Sequence, residues 1–333
     1  MRITQSMVMN SYTSRLGKVF ANMDRATIQT ITHGRKFLTS SDDPAATARA
    51  YQLRKSFQQN NDFLYNVNDV LDTMDTIDSS MRVISEMAAS AHKTITEGRN
   101  GTWALDDRKI FANELRSMQQ TAIRSLNATF DDKFLFGGSS TKTLPFEMKD
   151  GKLYFRGIDV ASTDPADQAR LQSFADEKIY RDMGFGLTVD IVNGLPVVKD
   201  NSAFNTSIPG LSLVGFGVRP EDNFILNLGL IAAELEKEPL DYETTSYLWD
   251  KLDTQRIHIL GEVTRVGADY NFLLQQRNVL EVGNDNLNNK ILNVEFMDME
   301  EAIMNLKMAD YIYRAALEIG TKILTPSFID FMR

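Results

Sequence analysis

The sequence predicts an α+β multidomain fold, in which the N- and C-terminal parts form a long antiparallel helical bundle or coiled coil around an inserted β-rich domain. Two of the supporting observations are seams of apolar residues at alternating spacings of four and three, from Phe63 to Ile95 and from Leu252 to Val294. Such spacing is typical of helices that pack along one face. The third is a turn-rich middle, since six of the eight prolines and eleven of the nineteen glycines lie between Gly137 and Pro239.

The first seam belongs to a helix predicted from about residue 44 to residue 98. Its apolar positions are Phe63, Val67, Val70, Met74, Ile77, Met81, Ile84, Ala88, Ala91 and Ile95. A helix of this length needs partners, and the chain supplies two: a helix over about 106–128 and the second seam. We therefore interpret the first seam as the wall of an intramolecular bundle rather than as a dimerisation motif.

The pattern of apolar residues in the N-terminal 33 residues predicts an amphipathic helix of low charge density. Gly34 is placed to end it, Ser41 or Asp42 to cap the next helix, and Pro44 fits the first turn of that helix. In the middle of the chain, Lys149-Asp150-Gly151 and Asn193-Gly194 each separate two apolar runs and predict β-hairpins. The helical pattern returns at about residue 223.

Both ends of the chain carry apolar stripes with little to cover them. Residues 1–33 and 295–333 make a poor independent core, so we expect neighbouring copies or other subunits to complete it, and we expect these ends to be mobile in a free monomer. The predicted assembly residues are Ile3, Met7, Leu16, Met23, Ala302, Leu306, Ala309, Ile312, Ala316, Ile319 and Ile323. The predicted domains are 1–40 with 295–333, 41–138 with 241–294, and the insertion 139–240.

Composition excludes several classes of protein. The formal net charge is -9 and there is no run of five or more Lys or Arg, so nucleic acid is not an expected partner. The chain has no Cys, which excludes disulfides and thiolate chemistry. We see no signal peptide and no apolar run long enough to span a membrane, so membrane insertion is not expected.

Motifs for catalysis, cofactors and metals are not found, and we expect none of the three. The histidines at 33, 92 and 258 are far apart, and the Asp42-Asp43 pair is explained by helix capping. The two Gly-Phe-Gly sequences at 184 and 215 lack the third glycine of a nucleotide-binding loop. The polar run from Asp285 to Lys290 lacks the glycine and closing glutamate of a calcium loop.

Three stretches resemble the flagellin family, and cover roughly 1–146 and 250–333. The opening Met1 to Met7 resembles hook-associated members more than flagellin itself, and Gly34-Arg35 followed by residues 40–46 resembles the hinge after the first helix. Residues 134–141 with Pro145-Phe146 resemble the exit from the helical domain. The C-terminal part, Val266-Gly267-Ala268 with Asn271 and then residues 299–331, resembles the family's terminal helix.

This resemblance implies a structural subunit with an inner terminal-helix domain in the polymer core, a helical rod and an outer β domain. It implies export, unfolded and without a cleaved signal, through the flagellar type III apparatus, with a dedicated chaperone on the C-terminal segment. It also implies a ring of copies between the first hook-associated protein and the flagellin filament. Val83 and Ser85 stand where flagellins recognised by an innate immune receptor usually have arginines, so that recognition is not implied.

Two alternatives stay open at this point. The first is a flagellin that builds the filament itself, although Met1-Arg2-Ile3 argues against this. The other alternative is an enzyme with a site in the inserted domain, which no specific feature of the sequence supports.

Overall fold

The computed structural model describes residues 5–99, 104–192, 194–199 and 201–324. The chain divides into two compact units, which we call the terminal unit (residues 1–61 and 281–333) and the central unit (residues 62–280). Both ends of the chain therefore belong to the same unit.

Long helices dominate the structure, and short strands are confined to the middle of the chain, so the predicted fold class is confirmed. The helices are α1 Gln5–Ile31, α2 Pro44–Arg99, α3 Leu105–Leu126, α4 Pro165–Ala175, α5 Gly210–Val214, a 3-10 turn Pro220–Asp222, α6 Phe224–Leu235, α7 Tyr242–Glu295 and α8 Met299–Leu324. The strands are β1 Thr129–Phe130, β2 Lys133–Phe134, β3 Phe146–Lys149, β4 Lys152–Phe155, β5 Ile158–Asp159, β6 Tyr180–Arg181, β7 Val189–Val192, β8 Leu195–Val198 and β9 Phe204–Asn205. No helix in the described ranges is long and apolar enough to cross a membrane.

The α2 seam is buried as its spacing predicts. Every seam position from Val67 to Ile95 is buried, and only Phe63 is half-exposed. In the central unit these residues form one hydrophobic core with residues of α3, of α6, of the insertion and of α7, where Leu252, Ile259, Val266, Leu273 and Leu280 are buried. The predicted end of this helix at about residue 98 agrees with the end of α2 at Arg99, and residues 100–103 lie outside the described part of the chain.

Helices α3 and α6 pack closely in the central unit. Asn223 caps α6, since its side chain accepts hydrogen bonds from the N–H groups of Ile225 and Leu226 at 3.0 and 3.1 Å. Gln119 of α3 donates to the carbonyl of Ile225 at 2.8 Å, and a Cβ added at Gly229 would lie 2.8 Å from the Gln119 amide nitrogen. The glycine therefore allows the two helices to approach.

The insertion contains small antiparallel sheets with the strand orders β1-β2, β3-β4-β5, β6-β9 and β7-β8. The predicted hairpin at Asp150-Gly151 is confirmed, because Lys149 pairs with Lys152 and both turn residues have positive φ. The second predicted hairpin is also confirmed by the pairing of Val192 with Leu195, although Asn193 lies outside the described residues.

Helices α4 and α5 interrupt this strand-rich region, and the sequence reading did not predict them. Asp164 caps α4 by accepting from the N–H of Ala166 at 2.9 Å, and Pro165 occupies the first helical position. This Asp-Pro pair is the signal that could have revealed α4.

Candidate assembly surface

The surface predicted for assembly lies on two long helices of the terminal unit, α1 and α8. The helices are antiparallel neighbours: Tyr12 donates from its hydroxyl to the carbonyl of Ala316 at 2.9 Å, and the rings of Phe20 and Tyr313 are 5.9 Å apart. At the other end Thr30 donates to the carbonyl of Ala302 at 3.4 Å. The first and last helices of the sequence thus cover one face of each other.

Small residues allow this close contact. Ala26 and Gly320 are buried, and a Cβ built at Gly320 would lie only 1.9 Å from the Tyr12 hydroxyl oxygen. Ala302, which the sequence predicts as an assembly residue, is 1% exposed. Its side chain is already covered within the chain. The assembly role of Ala302 stays a prediction.

The other predicted assembly residues differ in how much surface they leave open. Met7 and Ile319 are 59% and 55% exposed, and Ile312 is also exposed. Five are half-buried, namely Leu16, Met23, Leu306, Ala309 and Ala316. Ile3 lies outside the described residues, and so does the side chain of Ile323.

The sequence reading missed a second exposed row on α8. Met304, Met308 and Tyr311 are 66%, 63% and 72% exposed, and their spacing of four and three places them on one side of the helix. That spacing was the available signal. Large apolar side chains at such exposure on a regular stripe are typical of surfaces that contact another protein.

Two grooves divide this surface. The first, of about 550 Å³, lies between the first half of α1 and the last part of α8, and its walls include Met7, Val8, Leu16 and Ile319. The second, of about 290 Å³, lies further along the pair and includes Met308, Ala309 and Ile312. The first is a largely apolar depression between the two helices, whereas the second is mixed, because Asn22, Arg25, Gln29 and Asn305 also line it.

Short hydrogen bonds hold together the two segments that lead into the helix pair. Gly34 has φ 81° and its N–H donates to the carbonyl of Gln29 at 2.8 Å, which ends α1 as predicted. The N–H of Met297 donates to Gly34 and the N–H of Lys36 donates to Glu295, both at 2.8 Å. A Cβ on Gly34 would lie 2.8 Å from the Met297 carbonyl oxygen, so glycine also permits this approach.

The predicted cap of α2, Ser41 or Asp42, is wrong. Asp43 performs it, accepting from the N–H of Ala46 at 2.9 Å. The Asp42 carboxylate instead accepts from the N–H groups of Thr39 and Leu38, at 2.9 and 3.0 Å, and these two bonds lower the pKa of Asp42. Two adjacent acids divide the tasks of capping the helix and closing the preceding turn.

A buried carboxylate lies beside this connection. Arg54 of α2 donates to both carboxylate oxygens of Glu295, the last residue of α7, and this hydrogen bonding lowers the pKa of Glu295 against the opposing effect of burial. Asn284 of α7 accepts from Asn60 at 2.8 Å and donates to Asn61 at 2.6 Å. Asn284, a polar residue within the second seam, is therefore hydrogen-bonded to α2 on both sides of its amide group.

No group of three or more His, Asp or Glu side chains that could hold a metal ion occurs in the described ranges. What the terminal unit offers is a regular, largely apolar helical surface, which suits protein contacts.

Comparisons with known proteins agree with this description. Residues 3–141 match the bacterial flagellin N-terminal helical region. The chain is 22% identical over 295 residues to flagellar hook-associated protein 3 of Escherichia coli strain K12, covering 88% of this chain and 86% of that protein. It is 25% identical over 138 residues to the protein of the same name from Salmonella typhimurium, covering 41% and 43% of the two chains.

Solved structures show the same fold. A protein described as flagellar hook-associated, from Vibrio parahaemolyticus, superposes with a TM-score of 0.57 at 17% identity, over 77% of this chain and all of that one. Bacillus cereus FlgL superposes with a TM-score of 0.52 at 13% identity, over 72% and 99% of the two chains.

Proposed function

We propose that the chain, a homologue of flagellar hook-associated protein 3, is a member of the flagellin superfamily and a structural adaptor of the bacterial flagellum. Its role is to form the junction between the hook-associated region and the flagellin filament. The relatives are structural flagellar proteins, and we propose a non-enzymatic role for this chain as well.

The observation that carries the proposal is the exposed apolar surface on α1 and α8. A side chain such as Met304 or Met308, about two-thirds exposed in the monomer, gains roughly 25 cal/mol for each Å² of apolar area removed from water. Several such residues on one helix pair favour burial between subunits. We propose that copies of the chain form a ring in which these surfaces meet.

The assembly residues in this proposal are those of the exposed and half-buried stripe. They are Met7, Leu16, Met23, Leu306, Ala309, Ile312, Ala316 and Ile319, together with Ile3, Ile323 and the row Met304, Met308 and Tyr311. Residues 1–40 with 295–333 form the inner domain in the proposed organisation, residues 41–138 with 241–294 the rod, and residues 139–240 the outer domain.

The proposed partners are further copies of this chain, the first hook-associated protein on the hook side and flagellin on the filament side. Export through the flagellar type III apparatus precedes assembly, and a chaperone holds the C-terminal segment until then. The mature location is the extracellular flagellum.

The second candidate is a flagellin that builds the filament itself, which the match of residues 3–141 to the flagellin N-terminal region favours. A strain that lacks this chain separates the two roles. The adaptor predicts hooks without filaments and flagellin shed into the medium, both reversed by supplying the chain. Purified chain that polymerises alone into long filaments would instead support the flagellin.

A further inference from the structure

Methionine thioethers are the only oxidisable sulfur in this chain, which has fifteen methionines and no cysteine. Their exposure differs between the two units. In the described part of the central unit, the methionines are buried or half-buried, namely Met74, Met81, Met87, Met118, Met148 and Met183. The exposed methionines of the described ranges lie on α1 and α8, and Met304 and Met308 have the largest exposed fractions among them, at 66% and 63%.

Met304 and Met308 are neighbours on one side of α8. Residues four apart on a helix have their Cβ atoms about 5–6 Å from each other, so the two thioethers lie side by side. Both belong to the surface that we propose to contact other subunits, so they meet water before assembly and are covered after it. Their accessibility before assembly does not require α1 to stay against α8 in the free chain.

Hydrogen peroxide oxidises a thioether in one two-electron step. The sulfur lone pair attacks one peroxide oxygen, the O–O bond breaks, and the S–O bond of a sulfoxide forms. The departing hydroxide takes the proton of the transferred oxygen and leaves as water. The sulfur is thereby oxidised by two electrons and the peroxide is reduced by two.

This reaction changes the character of the α8 surface. A thioether is apolar and flexible, whereas a sulfoxide is polar and chiral, and so oxidation disrupts contacts that depend on methionine. Burying two sulfoxides between subunits would require hydrogen-bond donors for both oxygens, which an apolar contact does not provide. The core of the central unit is shielded from the same reaction, since Met74 and Met81 are 1% and 0% exposed.

We propose that Met304 and Met308 form an oxidation site, at which hydrogen peroxide converts the apolar α8 surface of the free chain into one that cannot assemble. After assembly, the contact with other subunits shields the same two thioethers. The effect on assembly rests on the junction role proposed above, whereas the selective oxidation of these two residues does not.

The first measurement uses the purified full-length chain. Hydrogen peroxide is added, and the sulfoxide formed at each methionine is followed over time by mass spectrometry of proteolytic peptides. We expect Met304 and Met308 to be oxidised at least tenfold faster than Met74 and Met81, with the helix content of the chain unchanged by circular dichroism. Equal rates at all four residues would overturn the proposal.

The second measurement tests the effect on assembly in cells. A strain that lacks this chain is supplied with the natural chain, with Met304→Leu plus Met308→Leu, or with Met9→Leu plus Met299→Leu. The last pair is the matched control, because it removes two exposed thioethers outside the proposed assembly residues. Each strain is grown with and without hydrogen peroxide at a non-lethal concentration, and filaments attached to hooks are counted. The ratio of the two counts is compared between strains, so the basal attachment of a variant does not enter.

We expect peroxide to reduce attachment at least fivefold with the natural chain and with the Met9 and Met299 pair replaced, but less than twofold with the Met304 and Met308 pair replaced. Equal ratios for all three chains would overturn the proposal and leave the junction role standing. A natural chain that restores no attachment in the absence of peroxide would overturn the junction role, and with it the effect of oxidation on assembly.

Discussion

Arg54 and Glu295 form a two-pronged ion pair, with Nε donating to Oε1 at 2.6 Å and Nη2 donating to Oε2 at 2.5 Å. The Glu295 side chain is 3% exposed, whereas that of Arg54 is 57% exposed. The carboxylate therefore depends on the guanidinium for the charge stabilisation that water would otherwise give. The pair joins α2 to the end of α7 at the point where the chain leads into α8.

Replacing Glu295 with glutamine is expected to destabilise the terminal unit by about 1 kcal/mol, a modest figure because solvent screens the exposed Arg54. Glutamine keeps the shape but presents an N–H₂ group where Arg54 requires an acceptor. Urea unfolding followed by helix content measures the change. The matched control is Glu301→Gln on exposed α8, expected to cost less than about 0.5 kcal/mol; equal effects of the two variants would count against the ion pair.

The same pair predicts a pH dependence. The pKa of Glu295 is lowered by the Arg54 hydrogen bonds from its ordinary value of 4.5. A carboxyl group with a lowered folded-state pKa contributes its full stability above the unfolded value and loses it as pH falls through the folded value. The stability difference between the natural chain and Glu295→Gln should therefore be constant near pH 7 and shrink below about pH 4.5. A difference that stays constant down to pH 3 would contradict this.

Gly320→Ala is expected to destabilise the α1–α8 contact by about 1–3 kcal/mol, because the new methyl group would collide with the Tyr12 ring. This loss outweighs the gain in helix propensity. Gly17→Ala in α1 is the control, since a Cβ there meets nothing within 4 Å, and it should stabilise by about 0.5–1 kcal/mol. Hydrogen exchange of the α8 amides compares the two, and protection that increases in both variants would refute the predicted collision.

Met81→Asp is expected to unfold the central unit, with a loss of about 4 kcal/mol or more, because Met81 is fully buried in the seam and aspartate would bring an unpaired charge. Val83→Asp, two residues away and exposed, is the control and should cost less than about 1 kcal/mol. Thermal melting followed by circular dichroism gives the answer. Helicity and a melting temperature retained in Met81→Asp would show that the seam is not an intramolecular wall.

Regular periodicity made the helical part of the fold predictable. The burial of the α2 seam followed directly from its spacing, because its nine apolar residues lie on one face of the helix and are buried together when that face packs. The capping residue of α2 was harder to predict, because two candidate residues are adjacent in the sequence. Asp42 and Asp43 are both good caps, and only the turn that Leu38 and Thr39 make shows that Asp42 is occupied there.

The exposed apolar stripe on α1 and α8 was predictable in its location but not in its outline. Ala302 lies on the predicted stripe, and a sequence cannot tell which side of an alanine-rich helix its neighbour within the chain will cover; here α1 covers it. Met304 and Met308 were not predicted, because they lie on a second stripe of α8, beside the one that the predicted residues form. Helices α4 and α5 were missed because composition describes a region on average, whereas a single cap such as Asp164 acts locally.

The most direct test of the account is whether the exposed α8 surface joins the filament to the hook. Met304→Asp with Met308→Asp changes two side chains that the monomer leaves about two-thirds exposed, and Met304→Leu with Met308→Leu is the matched apolar control. Each is supplied to a strain lacking the chain, and filaments attached to hooks are counted by electron microscopy. The account predicts a normal monomer melting temperature for both, normal filament attachment with the leucine pair, and a loss of at least tenfold with the aspartate pair. Normal attachment with the aspartate pair would contradict it.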